Sequence, residues 1–308
     1  MIVLSETLTK RLISHQVAYE AVKEAFVAAL SPETVLFPVV NASGSQEGSM
    51  FSLKSACTSS LVGWKTGTYW PRNRAMNKPC HGTTIFLLDP ESGDLVAAVA
   101  ASEVNAYRTA AADAVAINHL AREDASVLTV FGTGHQAEYE VLAIAEQRQL
   151  SRVIVVGRSL SACSGLIRRL KHHGIEAESG SPKEGCRQAD IIVTVTAATT
   201  PLFEADWVRP GTHISAMGAD TLGKRELPVE LYSRAKLFCD FLPQSQTIGE
   251  FQHATASSIT EVGRVITGEN PGRERYRDVT IFDSSGIALQ DLFIAAKLLV
   301  LRDTACCT

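Results

Sequence analysis

The sequence predicts an α/β protein with a doubly wound parallel sheet in the second part of the chain. After residue 108, apolar runs typical of buried strands alternate with helical patterns, which implies a parallel sheet covered on both faces. Before residue 101, short β-rich runs separated by Gly, Asn, Pro and Ser predict a mixed or antiparallel sheet. We therefore expect two domains, covering residues 1–118 and 119–286. The pattern leaves open which of them takes a last helix within residues 287–308.

The first domain begins with a predicted amphipathic helix over residues 14–30. Its apolar residues recur at steps of three and four, Ser14 is placed to cap it, and Ser31 with Pro32 ends it. The β-rich runs that follow cover residues 36–40, 61–70, 83–88 and 95–100. The last two flank a turn-rich connection, which predicts a hairpin.

An alanine-rich helix over residues 109–120 leads into the second domain. The strands expected there cover residues 127–131, 153–156, 190–196, 212–216, 237–239 and 279–282. The helices expected from there on cover residues 135–149, 160–173 and 287 to about 301.

Composition excludes several classes of protein. Lys plus Arg number 29 against 33 Asp plus Glu, so the net charge of −4 lacks the basic excess that nucleic-acid binding requires. No apolar run approaches the ~20 residues that cross a bilayer, so no membrane partner is expected. Seven scattered cysteines form neither a disulfide framework nor a zinc motif, and no His/Asp/Glu cluster has metal spacing. We expect a cytoplasmic protein without a metal.

A glycine-rich turn gives the sharpest local signal. Residues 132–137 (GTGHQA) follow an apolar run and open a predicted helix, and they fit the pattern G-x-G-x-x-A. In such a Rossmann-type unit, Gly132 makes the tight turn, Gly134 lets a pyrophosphate approach the backbone, and the phosphates lie on the helix N-terminus. A dinucleotide cofactor is therefore expected, with Gly132, Thr133 and Gly134 at its phosphates.

The end of the next strand predicts which dinucleotide binds. NAD sites place a carboxylate there for the ribose 2′-hydroxyl, whereas this chain has Gly157, Arg158 and Ser159. Arg158 and Ser159 therefore favour the 2′-phosphate of NADP over NAD. Arg168 and Arg169 on the following helix are expected on a solvated helix face.

Five separated motifs resemble the ornithine cyclodeaminase/mu-crystallin family along essentially the whole chain. They are residues 63–65 (GWK) with 71–73 (PRN), 107–111 (YRTAA), 132–136 (GTGHQ), 217–227 (MGADTLGKREL) and 282–286 (FDSSG). The resemblance implies a Rossmann domain and an α+β domain for substrate binding and dimerisation, to which the C-terminal helix returns. It also implies a homodimer that acts on a small amino or imino acid with a nicotinamide cofactor.

The resemblance also implies roles for single residues. Lys65 and Arg108 would hold the substrate carboxylate, Ser285 would lie beside the substrate, and Asp220 would handle the proton on its nitrogen. The family's cofactor contacts fall on Thr83, Arg108, His135, Gln136, Thr196, Met217, Lys224 and Ser284. Many members carry a further arginine after the first strand, but this chain has Pro38-Val39-Val40-Asn41 there, and Lys54 is the candidate replacement.

The chemistry of these residues leaves two alternatives open. A hydride leaves an α-carbon readily only when the attached nitrogen is unprotonated, which calls for an acid/base group such as Asp220. Lys65, desolvated among cations, is an alternative base with a lowered pKa. Asp220 by itself also fits an ordinary turn residue, and His213 and His253 fit structural hydrogen-bonded histidines better than proton carriers.

Residues 51–54, 67–71 and 248–254 look most like two branches of the family, the NADP-dependent L-arginine dehydrogenases and the iminosuccinate reductases. We therefore expect NADP-dependent oxidative deamination of an L-amino acid, with L-arginine or another basic amino acid as first choice. The alternatives are reduction of iminosuccinate or a cyclic ketimine, ornithine cyclodeaminase-like deamination, and NADPH binding without catalysis.

Overall fold

A computed structural model describes residues 1–254 and 258–306, without the side chains of residues 305 and 306, and it divides into two compact units. One unit holds Met1–Arg108 with Ile287–Thr308, and the other holds Thr109–Gly286. The boundary after Arg108 lies ten residues before the predicted boundary at residue 118. It falls within one continuous helix that carries the chain out of the first unit. The C-terminal helix belongs to the first unit.

The elements up to this helix are β1 (Ile2–Leu4), α1 (Glu6–Leu12), α2 (His15–Ala28), β2 (Val35–Leu36), β3 (Val40–Ser43), β4 (Met50–Cys57), β5 (Val62–Tyr69), β6 (His81–Leu88), β7 (Leu95–Ala100) and α3 (Val104–Leu120). The second unit continues with β8 (Val127–Phe131), α4 (His135–Gln147), β9 (Arg152–Val156), α5 (Leu160–His172), β10 (Ala177–Ser179), α6 (Pro182–Gln188), β11 (Ile191–Thr194), β12 (His213–Ala216), β13 (Ala235–Cys239), α7 (Leu242–Ile248), β14 (Ile259–Glu261), α8 (Val262–Ile266) and β15 (Val279–Asp283). Helix α9 (Ala288–Cys306) returns the chain to the first unit.

The sheet of the first unit is mostly antiparallel. Its strand order is β1-β7-β6-β5-β4-β2, with β3 also paired to β4, and only the β1–β7 pair is parallel. The predicted strand over residues 36–40 is wrong as one element. It is split into the ends of β2 and β3, because Pro38 has no N–H to donate to a ladder.

Helix α2 follows its sequence signals closely. The Ser14 side chain accepts a hydrogen bond from the Val17 N–H at 3.2 Å, so it caps the helix as predicted. The buried side includes Val22, Ala25 and Phe26, and these residues keep the spacing of an amphipathic stripe. Helix α9 packs on β4, β5 and β6, and α2 packs against α9.

The second unit contains an all-parallel sheet in the order β10-β9-β8-β11-β12-β15-β13-β14. The α/β class and the doubly wound parallel sheet are therefore confirmed. From β8 the chain adds β9 and β10 on one side, and it then adds β11 on the other side of β8. Ligands of such sheets bind outside the carboxyl ends of the strands at this switch point. Strands β11 and β12 are buried along their whole length, and β11 begins with the apolar run typical of a strand covered on both faces.

Several predicted bounds differ from the structure. Helix α3 begins at Val104 rather than at residue 109, because polar residues at its start are held by side-chain contacts described below. The short elements β10, α6, α7 and α8 were not predicted, since three to seven residues carry little periodicity. Within the described residues, no helix has the length and apolar content needed to span a bilayer.

Candidate active site

The turn between β8 and α4 has the conformation that the glycine pattern predicts. Gly132 has a φ of 128°, and its N–H donates to the Val156 carbonyl at 3.0 Å. A Cβ at this position would lie 2.7 Å from the Val195 carbonyl oxygen. The protein itself therefore requires glycine at residue 132.

Gly134 is different, because nothing in the protein requires it. It is the N-cap of α4 with a φ of −75°, and a Cβ there would meet no atom within 4 Å. The absence of a side chain leaves open space in front of the first N–H groups of α4, where a pyrophosphate fits. Ala137, the small residue that ends the pattern, is buried in the first turn of the helix. The turn thus fits a dinucleotide.

The tip of β9 presents Gly157, Arg158 and Ser159 at the surface, and all three are exposed. Ser159 caps α5 by accepting a hydrogen bond from the Ala162 N–H at 3.3 Å, and its Oγ also lies 3.3 Å from Ser161 Oγ. Arg168 is exposed as predicted, whereas Arg169 is half-buried and engaged in contacts. It pairs with Glu138 at 2.5 Å and donates to the Thr133 carbonyl at 3.3 Å, so it ties α5 to the glycine-rich turn.

A carboxylate that the sequence analysis missed, Glu226, organises the loop ends near Thr196. It accepts hydrogen bonds from Thr196 Oγ1 at 2.6 Å, from Thr194 Oγ1 at 2.8 Å and from the Gly218 N–H at 2.9 Å. Burial raises the pKa of Glu226 to about 6 against the lowering effect of these donors. The Thr196 hydroxyl is thus held toward Glu226. Met217, at the end of β12, is buried nearby in sequence.

A second missed carboxylate, Glu250, supports the first. It accepts from the backbone N–H groups of Glu226 and Leu227 at 2.9 and 2.8 Å and from the Tyr232 hydroxyl at 2.8 Å. The only sequence signal was an acidic residue next to apolar neighbours, and pattern alone does not separate such a residue from a surface one.

Asp220 and Lys224 form an ion pair with 2.6 Å between Lys224 Nζ and Asp220 Oδ1. The Asp220 side chain is 56% exposed, so the pair is weak and easily exchanged for other partners. Lys224 Nζ also lies 3.2 Å from the Gly218 carbonyl, and the His253 ring bonds the Lys224 carbonyl at 3.0 Å. A residue predicted to move a proton and a residue predicted to contact the cofactor are therefore direct neighbours.

His213 is a structural residue, as the sequence analysis preferred. Its ring bonds Thr280 Oγ1 at 2.8 Å and Ser215 Oγ at 3.1 Å, and burial holds its pKa well below the usual value. A fully buried neutral imidazole with both nitrogens engaged has no route to exchange protons with a ligand.

The loop after β15 is held by Asp240. This carboxylate accepts from Ser284 Oγ and Ser285 Oγ, each at 3.2 Å, and from the Gly286 N–H at 2.6 Å. Gln244 donates to Ser285 Oγ at 2.8 Å from the other side. Ser284 and Ser285, both predicted site residues, are thus fixed by the ends of β13 and α7.

The first unit contains a buried cluster around Lys65 on β5. Lys65 Nζ donates to Asn105 Oδ1 at 2.6 Å, and the same oxygen accepts from Arg108 Nη2 at 3.1 Å. Asp291, near the start of α9, places Oδ1 at 3.4 Å from Lys65 Nζ and at 3.6 Å from Arg108 Nε. The structure therefore brings together Lys65 and Arg108, the two residues predicted to bind the substrate carboxylate. Their partners Asn105 and Asp291 were not predicted.

The electrostatics of this cluster act on the Lys65 proton. Burial, followed by the positive charge of Arg108, lowers the pKa of Lys65 to about 7, while Asp291 raises it and Lys54 lowers it. Lys54 lies opposite Lys65 in the β4–β5 register, and Thr83 on β6 lies opposite Gly67 of β5. Lys65 is therefore able to gain and lose a proton near neutral pH.

These features define an α/β protein with a Rossmann-type nucleotide-binding fold in its second unit and a buried cation cluster in its first unit. The model of the ornithine cyclodeaminase/mu-crystallin family matches residues 1–305, and the chain belongs to this family. Within the described residues, no group of three or more His, Cys, Asp or Glu side chains is placed to hold a metal ion.

Similar proteins cover nearly the whole chain. The iminosuccinate reductase of Paracoccus denitrificans (strain Pd 1222) is 36% identical over 309 residues, which is 98% of this chain and 96% of that protein. Its crystal structure in complex with NAD+ superposes with a TM-score of 0.92 over 99% of this chain and 97% of the other. The alanine dehydrogenase of Archaeoglobus fulgidus is 32% identical over 96% of this chain and 92% of that protein. The ketimine reductase mu-crystallin of Mus musculus is 32% identical over 80% of this chain and 75% of that protein.

Proposed function

We propose that the protein is a nicotinamide-dependent oxidoreductase that interconverts an α-imino acid and an L-amino acid. The glycine-rich turn with its open space at Gly134 supports the dinucleotide. Relatives named as an iminosuccinate reductase, an alanine dehydrogenase and a ketimine reductase support chemistry at a carbon–nitrogen bond.

The charge around Lys65 supports a dicarboxylic substrate, and this observation carries the finer part of the proposal. Three cations, Lys54, Lys65 and Arg108, act together with one carboxylate, Asp291. Three positive charges less one negative charge leave a surplus of two when Lys65 is protonated. A substrate with two carboxylates, such as iminosuccinate, neutralises that surplus, and cations paired with carboxylates through charge-assisted hydrogen bonds give strong binding.

L-Arginine, the first choice from sequence, stays a prediction. Its guanidinium needs an acidic partner of its own, and Asp291 is already shared between Lys65 and Arg108. Oxidative deamination of an amino acid and reduction of an imino acid are opposite directions of the same type of reaction. One assay panel that offers both L-arginine and a dicarboxylic imine therefore shows which substrate the protein uses.

We assign the chemical roles as follows. Lys65 and Arg108 hold a substrate carboxylate, Asp220 exchanges a proton with the substrate nitrogen, and Ser285 lies beside the substrate, with Lys54 as a second cation. A bound nicotinamide supplies the hydride to the imine carbon, or accepts it from the α-carbon in the reverse direction. Lys65, whose pKa lies at about 7, is the alternative proton carrier.

The dinucleotide contacts are assigned to the residues that the sequence analysis proposed. They are Thr83, Arg108, Gly132, Thr133, Gly134, His135, Gln136, Arg158, Ser159, Thr196, Met217, Lys224 and Ser284. Exposed Arg158 and the absence of a carboxylate at residues 157–160 support NADP. The solved relatives bound to NAD+ and NAD support the alternative, NAD.

A homodimer is supported by the outer face of the first sheet. Strand residues alternate between faces, so Trp64 and Phe86 lie opposite to the face of Lys65, stacked with 4.9 Å between ring centroids. Val3 at 66% and Phe51 at 36% exposure add to the apolar surface of these strands. A solved archaeal relative is described as an alanine dehydrogenase dimer. Sedimentation equilibrium at micromolar concentration tests this proposal, and a monomer would contradict it.

The test of the activity is a substrate panel with both dinucleotides. Oxaloacetate with ammonium, which forms iminosuccinate in solution, is offered with NADPH or NADH, and L-aspartate, L-arginine and L-alanine are offered with NADP+ or NAD+. We expect turnover of the dicarboxylic pair and its loss in Lys65→Met, while the exposed control Lys171→Met keeps it. Turnover of L-arginine alone would overturn the dicarboxylic substrate, and tight dinucleotide binding without any turnover would favour the non-catalytic alternative.

A further inference from the structure

The cations of the Lys65 cluster are joined by two acceptor atoms that serve both of them. Asn105 Oδ1 is 2.6 Å from Lys65 Nζ and 3.1 Å from Arg108 Nη2. Asp291 Oδ1 is 3.4 Å from Lys65 Nζ and 3.6 Å from Arg108 Nε. The four side chains thus form a closed ring in which cations and acceptors alternate.

The ring is assembled from three elements of the first unit. Lys65 is on β5, Asp291 on α9, and Asn105 and Arg108 on α3. The spacing of three residues within α3 puts Asn105 and Arg108 on one side of that helix. Gln290 Oε1 accepts from Arg108 Nη1 at 3.4 Å, so the guanidinium has a third neighbour on α9.

The two acceptors differ in what they contribute. Asp291 is 1% exposed, and its distances to the cations exceed those of strong hydrogen bonds, so it acts mainly through its negative charge. Asn105 makes short contacts but carries no charge, so it orients both cations without cancelling their attraction for an anion. Two buried cations without Asp291 would repel each other, and Lys65 would give up its proton.

We propose that Asn105 and Asp291 are positioning residues that hold Lys65 and Arg108 side by side, so that the ring of four side chains presents one surplus positive charge to the carboxylate of the substrate. This inference rests on the proposed function for the identity of the ligand. The two residues have different roles. Asp291 favours the protonated form of Lys65, and Asn105 sets the separation of the two cationic groups.

The charged groups that act on Lys65 come from three elements around it. Lys54 acts from β4, Arg108 from α3 and Asp291 from α9, whereas β6 places the apolar residue Ile85 opposite Lys65. Because Asp291 is the acidic member of this set, its removal must favour the neutral amine. Loss of the Asn105 acceptor should also lower the pKa of Lys65, but by less, because it removes a hydrogen bond to the charged amine rather than a neighbouring negative charge.

The experiment titrates Lys65 directly in the full chain labelled with ¹³C at lysine Cε, with the signal assigned by its absence in Lys65→Met. In the wild type we expect the midpoint near pH 7. Asp291→Asn should move it down by about one pH unit or more and Asn105→Leu by less, whereas Asn105→Asp should move it up. Asp303→Asn, an exposed change on the same helix, should leave it unchanged. The titration needs no substrate, so it remains informative if the proposed function fails.

A kinetic split then tests the positioning role toward substrate. Asn105→Leu should raise the KM of the substrate at least tenfold and the Kd of the dinucleotide, which Arg108 is also assigned to contact, by a smaller factor. An unchanged Lys65 midpoint in both Asp291→Asn and Asn105→Asp would overturn the proposal. If Asp291→Asn does not fold, Asp291→Glu and Asn105→Asp are used instead, because both retain an acid in the ring. A Lys65 midpoint below that of the wild type in both variants would also overturn the proposal.

Discussion

Replacement of Arg158 by alanine probes which dinucleotide the protein prefers. Arg158 stands at the exposed tip of β9, between Gly157 and Ser159, and it makes no ion pair with any of the residues that the structure describes. Its guanidinium therefore has no competing protein partner to leave when a 2′-phosphate arrives. Ser159 adds a hydroxyl whose proton is not used by its capping contact.

The magnitude follows from the type of contact and its exposure. A hydrogen bond to a charged group contributes about 1.5–3 kcal/mol, which corresponds to roughly 10- to 150-fold in Kd. Because Arg158 is exposed, salt screens its charge, and we expect the lower end of that range at physiological ionic strength. The NAD+ affinity should change by less than about twofold, since NAD+ offers only a neutral hydroxyl at this position.

Isothermal titration calorimetry of the wild type and Arg158→Ala with NADP+ and NAD+, at low and physiological salt, measures both affinities. Arg187→Ala, which removes an exposed arginine from α6 of the same unit, is the matched control. Two results would refute the reasoning: tighter binding of NAD+ than of NADP+ by the wild type, or an equal loss of both affinities in the variant. The first result would make NAD the cofactor, and the second would show that Arg158 does not recognise the 2′-phosphate.

Three further predictions concern the other site residues. Gly134→Ala should leave the Tm nearly unchanged, because its Cβ meets no protein atom within 4 Å, but it should raise the dinucleotide Kd at least roughly tenfold. Gly132→Ala should instead lower the Tm, because residue 132 has a φ of 128°. Asp220→Asn should lower kcat by about 10²–10⁴-fold and leave dinucleotide affinity intact, and an unchanged kcat would remove Asp220 from the proton transfer. Lys65 releases its proton near pH 7 when folded and near pH 10.5 when unfolded, so the unfolded state binds more protons between these values. The free energy of unfolding in urea, relative to Lys65→Met, should therefore rise with pH across that window, and a flat difference would show that Lys65 is not desolvated.

Local signals predicted the parts of the fold that are fixed locally. The cap at Ser14, the turn at Gly132 and the buried strand β8 depend on neighbouring residues, and a sequence pattern contains that information. The break at Pro38 was also visible in principle, since a proline cannot continue the ladder, and the predicted run over it was wrong for that reason.

The partners of the site residues were not predictable in the same way. Lys65 meets Asn105 and Arg108 meets Gln290 across 40 and 182 residues of chain, and Glu226 reaches Thr194 across 32. Asn105 and Asp291 lie on helices whose periodicity marks them only as polar positions. The resemblance to a family supplied Lys65, Arg108 and Asp220, and their chemical roles stay predictions that the variants above test.

The close packing at Gly157 restricts how this protein can exchange one dinucleotide for the other in evolution. A Cβ at residue 157 would lie 2.6 Å from Thr133 Cγ2 and 2.9 Å from Cys163 Sγ, so an aspartate cannot simply replace this glycine to receive a ribose hydroxyl. Thr133 belongs to the glycine-rich turn, and a change there alters the phosphate contacts at the same time. A carboxylate at residue 157 therefore requires coupled substitutions at the residues that its Cβ would meet, Thr133 and Cys163. A library that varies residues 133, 157 and 163 together should yield folded variants with an aspartate at residue 157, whereas Gly157→Asp alone should lower the Tm.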